Sequence, residues 1–265
     1  MQPKTEEFLG MLLWTLDQAM RPTFRNLDRS YEEWAYRNGF LRQVDTLSER
    51  GFIEHRGAGS DSRVYRLTEQ GRLHALGGRD PVREWNRRWD GRWRMVLFDI
   101  GEEQSTRRDK LRRYLRSRGF GYLQHSVWVS PHALELERDA LRGAAIDVES
   151  LILLEARPVA GESDEEIVRG AWDFTEINKR YLAVLKVLEA RPKQPVTTSS
   201  AAQRLKEWAS QERAAWIHAM AADPLLPRQI WPRGYLGERA WQKRLKEFRS
   251  AARQSSGFAK GSFVK

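Results

Sequence analysis

Residues Trp89–Pro131, WDGRWRMVLFDIGEEQSTRRDKLRRYLRSRGFGYLQHSVWVSP, decide how this chain is read. Arg92 to Ile100 is a short apolar run bounded by Gly91 and Gly101, the length and setting of a buried strand. From Gln104 to Arg118 the period changes. Leu111, Tyr114 and Leu115 recur at helical spacing among basic residues, and Gly119 stands where a helix C-terminal cap takes positive φ. Phe120–Leu123 and Ser126–Ser130 follow as two strand-like runs close enough to form a hairpin. His132–Arg142 then reads as a helix and Glu149–Arg157 as a closing strand. The order β-α-β-β-α-β is the ferredoxin-like pattern, with the first and third strands the most apolar, as central strands under two helices should be.

The same residues carry a resemblance. Trp89-Asp90-Gly91, Trp93-Arg94, Val96, Phe98-Asp99-Ile100, Gly119-Phe120-Gly121, Leu123 and Val127-Trp128-Val129-Ser130-Pro131 follow, in order, the middle domain of the PaaX-type transcriptional repressors, which the stretch resembles. Gly101 stands where that family usually has proline. The resemblance implies a DNA-binding repressor with an aryl- or acyl-CoA thioester as effector.

Composition is consistent with a polyanion partner. The 265 residues include 46 Lys and Arg against 36 Asp and Glu, a net charge of +10 and a pI near 10. Nucleic acid is the partner such an excess favours; a phosphate-bearing small ligand or a merely soluble surface is also compatible with it. The length allows two or three small domains. Cysteine is absent, which excludes disulfides and Cys-based zinc sites, and the five histidines are scattered. Phe8–Trp14 is too short to span a membrane and follows Glu6 and Glu7, so cytoplasm is the expected compartment.

Upstream of the central stretch, Thr5–Met20 reads as an amphipathic helix, and Ser30-Tyr31-Glu32-Glu33 as a capping box opening a short second one. A third helix is expected from about Gly39 to Arg50, with Phe40, Val44 and Leu47 inward. Phe52–Arg56 and Arg63–Leu67 are strands flanking the polar, Gly-rich loop 57–62. This is the layout of a winged helix-turn-helix. Its third helix would lie in the major groove, offering Arg42 and Thr46 with Gln43 and Arg50 at the flank; Arg37 and Asn38 precede it. Arg56, Ser62 and Arg63 are the wing's donors. Asp45 and Glu49 on the same helix fit an ordinary solvated face instead. PaaX-type domains usually have a fuller second helix and begin the third with Ser-Glu-Arg, whereas this chain has Tyr36-Arg37-Asn38-Gly39.

Residues 77–91 read as a linker whose Trp85 and Trp89 serve as packing anchors between domains. In the helix after the first central strand, Arg107, Arg108, Lys110, Arg112, Arg113, Arg116 and Arg118 face the one acid Asp109. That helix is either a solvated surface or a contact for DNA phosphates or a phosphorylated effector. Pro158–Gly170 reads as a second boundary, followed by helices over Ala171–Ala190, Ala201–Met220 and Gly237–Arg253. Trp172-Asp173, Asp223-Pro224, Leu226-Pro227 and Trp231-Pro232 resemble the C-terminal domain of the same family, with Tyr235-Leu236 where it has Trp-Pro.

The expected fold is therefore α+β: a winged helix-turn-helix over 1–76, a ferredoxin-like domain over 92–158, a mainly helical domain over 171–253 and a disordered tail over 254–265. The expected function is that of a dimeric repressor binding double-stranded DNA, without catalytic residues, metal or cofactor. The candidate effector site is Arg112, Arg113 and Arg116 for the phosphates with Trp172 and Trp231 for the acyl group. One alternative is a metal-dependent nuclease, because the middle domain also resembles the small CRISPR adaptation subunit and Asp99 ends the first central strand as the catalytic Asp does in some of its relatives. The other is a non-catalytic nucleic-acid-associated module. A hydrolytic metal site needs several ligands, and no phosphate loop, nucleophile elbow or metalloprotease motif occurs elsewhere.

Overall fold

In the central stretch the apolar run becomes strand β3, Trp93–Asp99, and the period change becomes helix α4, Ser105–Ser117, preceded by a 3-10 turn at Glu102–Gln104. The computed structural model describes residues 41–56, 64–100, 102–125, 127–132, 150–159, 161–195 and 198–261. In chain order the earlier elements are α1 (Leu41–Glu49), β1 (Ile53–Arg56), β2 (Val64–Leu67), α2 (Glu69–Ala75) and α3 (Pro81–Trp85). After α4 come β4 (Gly121–Gln124), β5 (Val127–Ser130), β6 (Ser150–Ala156), α5 (Asp164–Ala171), α6 (Phe174–Glu189), α7 (Ser199–Ala222) and α8 (Gly237–Gly261).

β3 to β6 form a four-stranded antiparallel sheet in the order β4-β5-β3-β6. Counted within the sheet this is 2-3-1-4, the arrangement that the ferredoxin-like pattern requires. The expected second crossover helix, His132–Arg142, lies almost wholly outside the described residues. β3 runs through the middle, Val96 opposite Trp128 on one side and Leu153 on the other.

Alternation along β3 gives the sheet two apolar faces. Val96 and Phe98 point to one, where they meet Leu111 and Leu115 of α4 together with Phe120 and Trp128. Trp93 and Met95 point to the other, joined by Val129, Val168, Ala171, Trp172, Leu226, Ile230 and Trp231. Gly121 permits the second face to close. A Cβ there would lie 2.6 Å from the Ala171 Cβ and 2.6 Å from the Trp172 ring.

Arg94 shares the face of α4 and is nearly buried. Its guanidinium donates to Asp90 at 2.7 Å and lies 3.3 Å from Glu155. The hydrogen bond from Arg94 holds the Asp90 carboxyl down from its ordinary 3.8 to about 2. A depressed carboxyl favours the folded state only while ionised. This contribution should be complete above about pH 4 and disappear as pH falls from about 4 to 2. Asp90→Asn is expected to flatten the stability–pH curve in that window, as measured by urea unfolding; an unchanged curve would assign the acid sensitivity to other groups.

Four sequence expectations are corrected. Residues 77–91, read as a linker, contain α3, because Pro81 sits at a favourable first helical position and Trp85 is buried. The boundary 158–170 contains most of α5, started by a capping box in which Ser163 and Glu166 satisfy each other's backbone N–H. The single helix over Ala171–Ala190 is two, broken at Trp172, whose backbone is extended; Asp173 caps the next by accepting from the Glu176 N–H at 2.9 Å. The tail expected to be disordered from residue 254 continues α8 to Gly261. Gln254 anchors it by donating to the Pro192 carbonyl at 3.0 Å.

The described residues fall into two compact units. One draws on Met1–Asp80, Lys179–Ala221 and Leu236–Lys265; the other on Pro81–Asn178 and Ala222–Tyr235. In the second, Asp223 organises the Asp-Pro-Leu-Leu-Pro segment. It accepts from the Leu225 N–H at 2.8 Å, supporting the positive φ of Leu225, and from the Tyr235 hydroxyl. Tyr235 in turn accepts from the Trp85 indole at 3.1 Å. No described helix is long and apolar enough to cross a membrane.

Candidate nucleic-acid interface

The N-terminal candidate site is assembled around Thr68. Leu47 is fully buried on α1, and the chain leaves that helix through Gly51 at φ +69, a value glycine adopts without strain. β1 and β2 then pair antiparallel, Ile53 opposite Leu67 and Arg56 opposite Val64. Thr68 ends the hairpin and joins the parts. Its hydroxyl donates to the Gly51 carbonyl at 2.6 Å and accepts from the Gly71 N–H at 3.0 Å, while its own N–H donates to the Phe52 carbonyl at 3.0 Å. A Phe52–His74 stack with centroids 4.9 Å apart reinforces the join.

Of the residues expected to touch DNA, Arg42 and Gln43 fall on α1 and Arg56 at the end of β1, with their side chains outside the description. Thr46 is half-buried and Arg50 exposed at the end of α1. Arg37, Asn38, Ser62 and Arg63, like the first two expected helices and the wing loop, lie outside the described residues. Asp45 and Glu49 are exposed on the same helix as Thr46. Their carboxylates oppose phosphate approach, and either one has the chemistry to accept from a cytosine amino group.

The effector set does not come together. Arg112, Arg113 and Arg116 project from α4, on the Val96–Phe98 face of the sheet, whereas Trp172 and Trp231 belong to the opposite face. The β-sheet separates the two groups. Each tryptophan also has a packing role: Trp172 covers Gly121, and Trp231 donates to the Leu226 carbonyl at 2.7 Å beneath the Arg228 guanidinium. Sequence separation carries no information about which face a residue takes, so the pairing was not testable before the strands were in register. Trp85 packs edge-on to Trp231 and Tyr235 within one unit.

What α4 does present is concentrated positive charge. Arg107, Arg113 and Arg116 are exposed and Arg108 and Arg112 half-exposed, and none of the five forms an ion pair with a described residue. Arg116 is steadied over the Trp128 ring at 5.6 Å.

Residues 86–168 match the family described as the PaaX protein central Cas2-like domain. The chain carries a PaaX-type central domain. The match spans the whole sheet, α4 and the first part of α5. The solved structure of the uncharacterized protein Rv0674 from Mycobacterium tuberculosis is similar over 94% of this chain and 97% of its own, at 19% identity and a TM-score of 0.54. That likeness concerns the fold. A comparison with curated proteins finds no match. Within the PaaX-type domain, Asp99 is exposed at the end of β3, and among the described residues no three His, Asp or Glu side chains gather to hold a metal ion.

Proposed function

We propose that this protein is a sequence-specific DNA-binding repressor of transcription that works as a homodimer without catalytic activity. The observation that carries the reading is a helix and hairpin locked together at Thr68 in a basic chain with a PaaX-type central domain. Regulation of transcription is what the resemblance to PaaX-type repressors implies, and a winged helix-turn-helix is the module that such a helix and hairpin would complete. One recognition helix reads only a few base pairs, so specificity at genomic scale calls for two copies on an inverted repeat. Ile152 and Leu154, exposed on β6 beside Met95 and Leu97, are an apolar surface suited to a second copy. An aryl- or acyl-CoA effector would need residues other than the five named from the sequence.

A gel shift with the DNA upstream of the protein's own gene tests the core of this reading; no retarded band with that DNA, or with any duplex, would overturn it. Arg42→Ala is expected to cost about 1–3 kcal/mol on the preferred site and to relax sequence preference. Asp45→Asn with Glu49→Gln should instead tighten binding to unrelated duplexes, because two repulsive charges are removed. Equal effects of the two changes on specific and random DNA would show that α1 is not the reading helix.

A further inference from the structure

We propose that α4 is a separate contact for duplex DNA, gripping phosphates without reading sequence. The inference rests on the DNA-binding reading above but concerns a different surface, in the central unit. Seven cations stand between Arg107 and Arg118 against Asp109 alone. Several cations elsewhere in this unit pair with carboxylates: Arg92 and Arg94 with Glu155, Arg87 with Glu84, and Arg169 with Glu165. On α4 the five arginines named above have none among the described residues. The Nε atoms of Arg108 and Arg112 are buried with no acceptor among the described residues, so the stems of these two side chains lie against the protein.

The shape of the surface separates a polymer from a small ligand. Leu111 and Leu115 point into the core, so Arg113 stands on the outer ridge of the helix with Arg112 and Arg116 on one flank. From Arg107 to Arg116 the charges extend over about 14 Å of a convex helix. A phosphorylated metabolite is held by cations converging in a concavity that also encloses its apolar part. The aromatic residues nominated for that part are across the sheet. Cations spread over a convex ridge and its flank can each take a separate phosphate of a duplex backbone, and each contact releases counterions.

The test is the salt dependence of binding by the full chain, on its preferred site and on a random duplex. In Arg112→Gln/Arg113→Gln/Arg116→Gln, the slope of log K against log salt should fall by about 2–3, at about 0.9 per phosphate contact, equally on both duplexes. The ratio of specific to random affinity should not change. The Lys versions of the same three should restore the slope, since a phosphate contact of this kind needs charge rather than a guanidinium fork. Arg112 is half-buried, so Arg113→Gln/Arg116→Gln, which alters exposed residues only, guards against misfolding and should remove about two-thirds of the effect. An unchanged slope in both variants would overturn the proposal and leave α1 as the interface. A collapse of the affinity ratio would also overturn it, because a phosphate contact does not choose sequence. Wild-type protein that binds no duplex at any salt would remove this inference together with the DNA-binding reading.

Discussion

Replacing Arg244 by Met is expected to destabilise the protein by about 3–5 kcal/mol at neutral pH, the usual consequence of leaving a buried charge without its partner. Glu212 of α7 is fully buried, and Arg244 of α8 nearly so. The guanidinium reaches the carboxylate at 2.7 Å through Nε and 3.3 Å through a terminal nitrogen, and its faces rest on Trp216 at 4.7 Å and Phe248 at 4.5 Å. Burial pushes the Glu212 carboxyl up even with Arg244 present. Without that cation the carboxyl will rise further and take up a proton in the folded state. A raised folded pKa means that stability is retained below the unfolded value and lost as pH rises through the folded one. The defect of Arg244→Met should therefore be smaller at pH 5 than at pH 8. Glu212→Leu combined with Arg244→Met should recover most of the loss, because an apolar pair has no desolvation cost to meet. Urea midpoints for the two singles and the double, at both pH values, decide the matter. A single variant within about 1 kcal/mol of wild type would mean that water reaches Glu212 once Arg244 is gone.

That ion pair illustrates what the sequence did not disclose. Glu212 and Arg244 belong to helices that both follow from apolar periodicity, yet nothing in either helix says which polar positions will meet. The central sheet was more legible, because each of its signals is local. Alternation, a change of period and a glycine after the helix are all read within about fifteen residues, and β3, α4 and β5 begin and end within a residue or two of expectation. Gly119 does take positive φ. The capping box at Ser163 is just as local, and its Ser-x-x-Glu spacing would have found α5. It was obscured by the acidic, glycine-containing composition around it, which also suits a loop. The Arg–Trp effector grouping failed for a different reason. Proximity across a sheet depends on strand parity and register, and a helix on one face and a loop on the other have no shared period. Tyr235 lies between these cases. Its departure from the family pattern was plain in the sequence, but its role, joining Trp85 to Asp223 through one hydroxyl, needed both partners in place.

Gly71→Ala is expected to be the most damaging small substitution in the N-terminal helix–hairpin. By helix propensity alone it should help, since Ala is favoured over Gly by about 1 kcal/mol in a helix interior. Here a Cβ at position 71 would lie 2.0 Å from the Phe52 carbonyl oxygen and 2.8 Å from its carbon. Backbone is in the way, and it is not free to swing, because the same oxygen accepts from the Thr68 N–H. Relief requires α2 to move off the hairpin. That motion stretches the Thr68 bonds to Gly51 and Gly71 that set α1 against β1 and β2. Overpacking of this sort costs about 1–3 kcal/mol, which outweighs the propensity gain. Gly51→Ala gives the internal comparison. Its φ of +69 disfavours a side chain, by about 1–2 kcal/mol, but the nearest obstacle is the Gln70 side chain at 3.7 Å. Gly71→Ala should thus be the less stable of the two in thermal unfolding, and should weaken binding to the preferred duplex more, since it displaces α1 rather than merely straining the turn after it. A Gly71→Ala protein as stable as wild type would show that the Phe52 segment yields, and that Thr68 does not fix α1 against the hairpin.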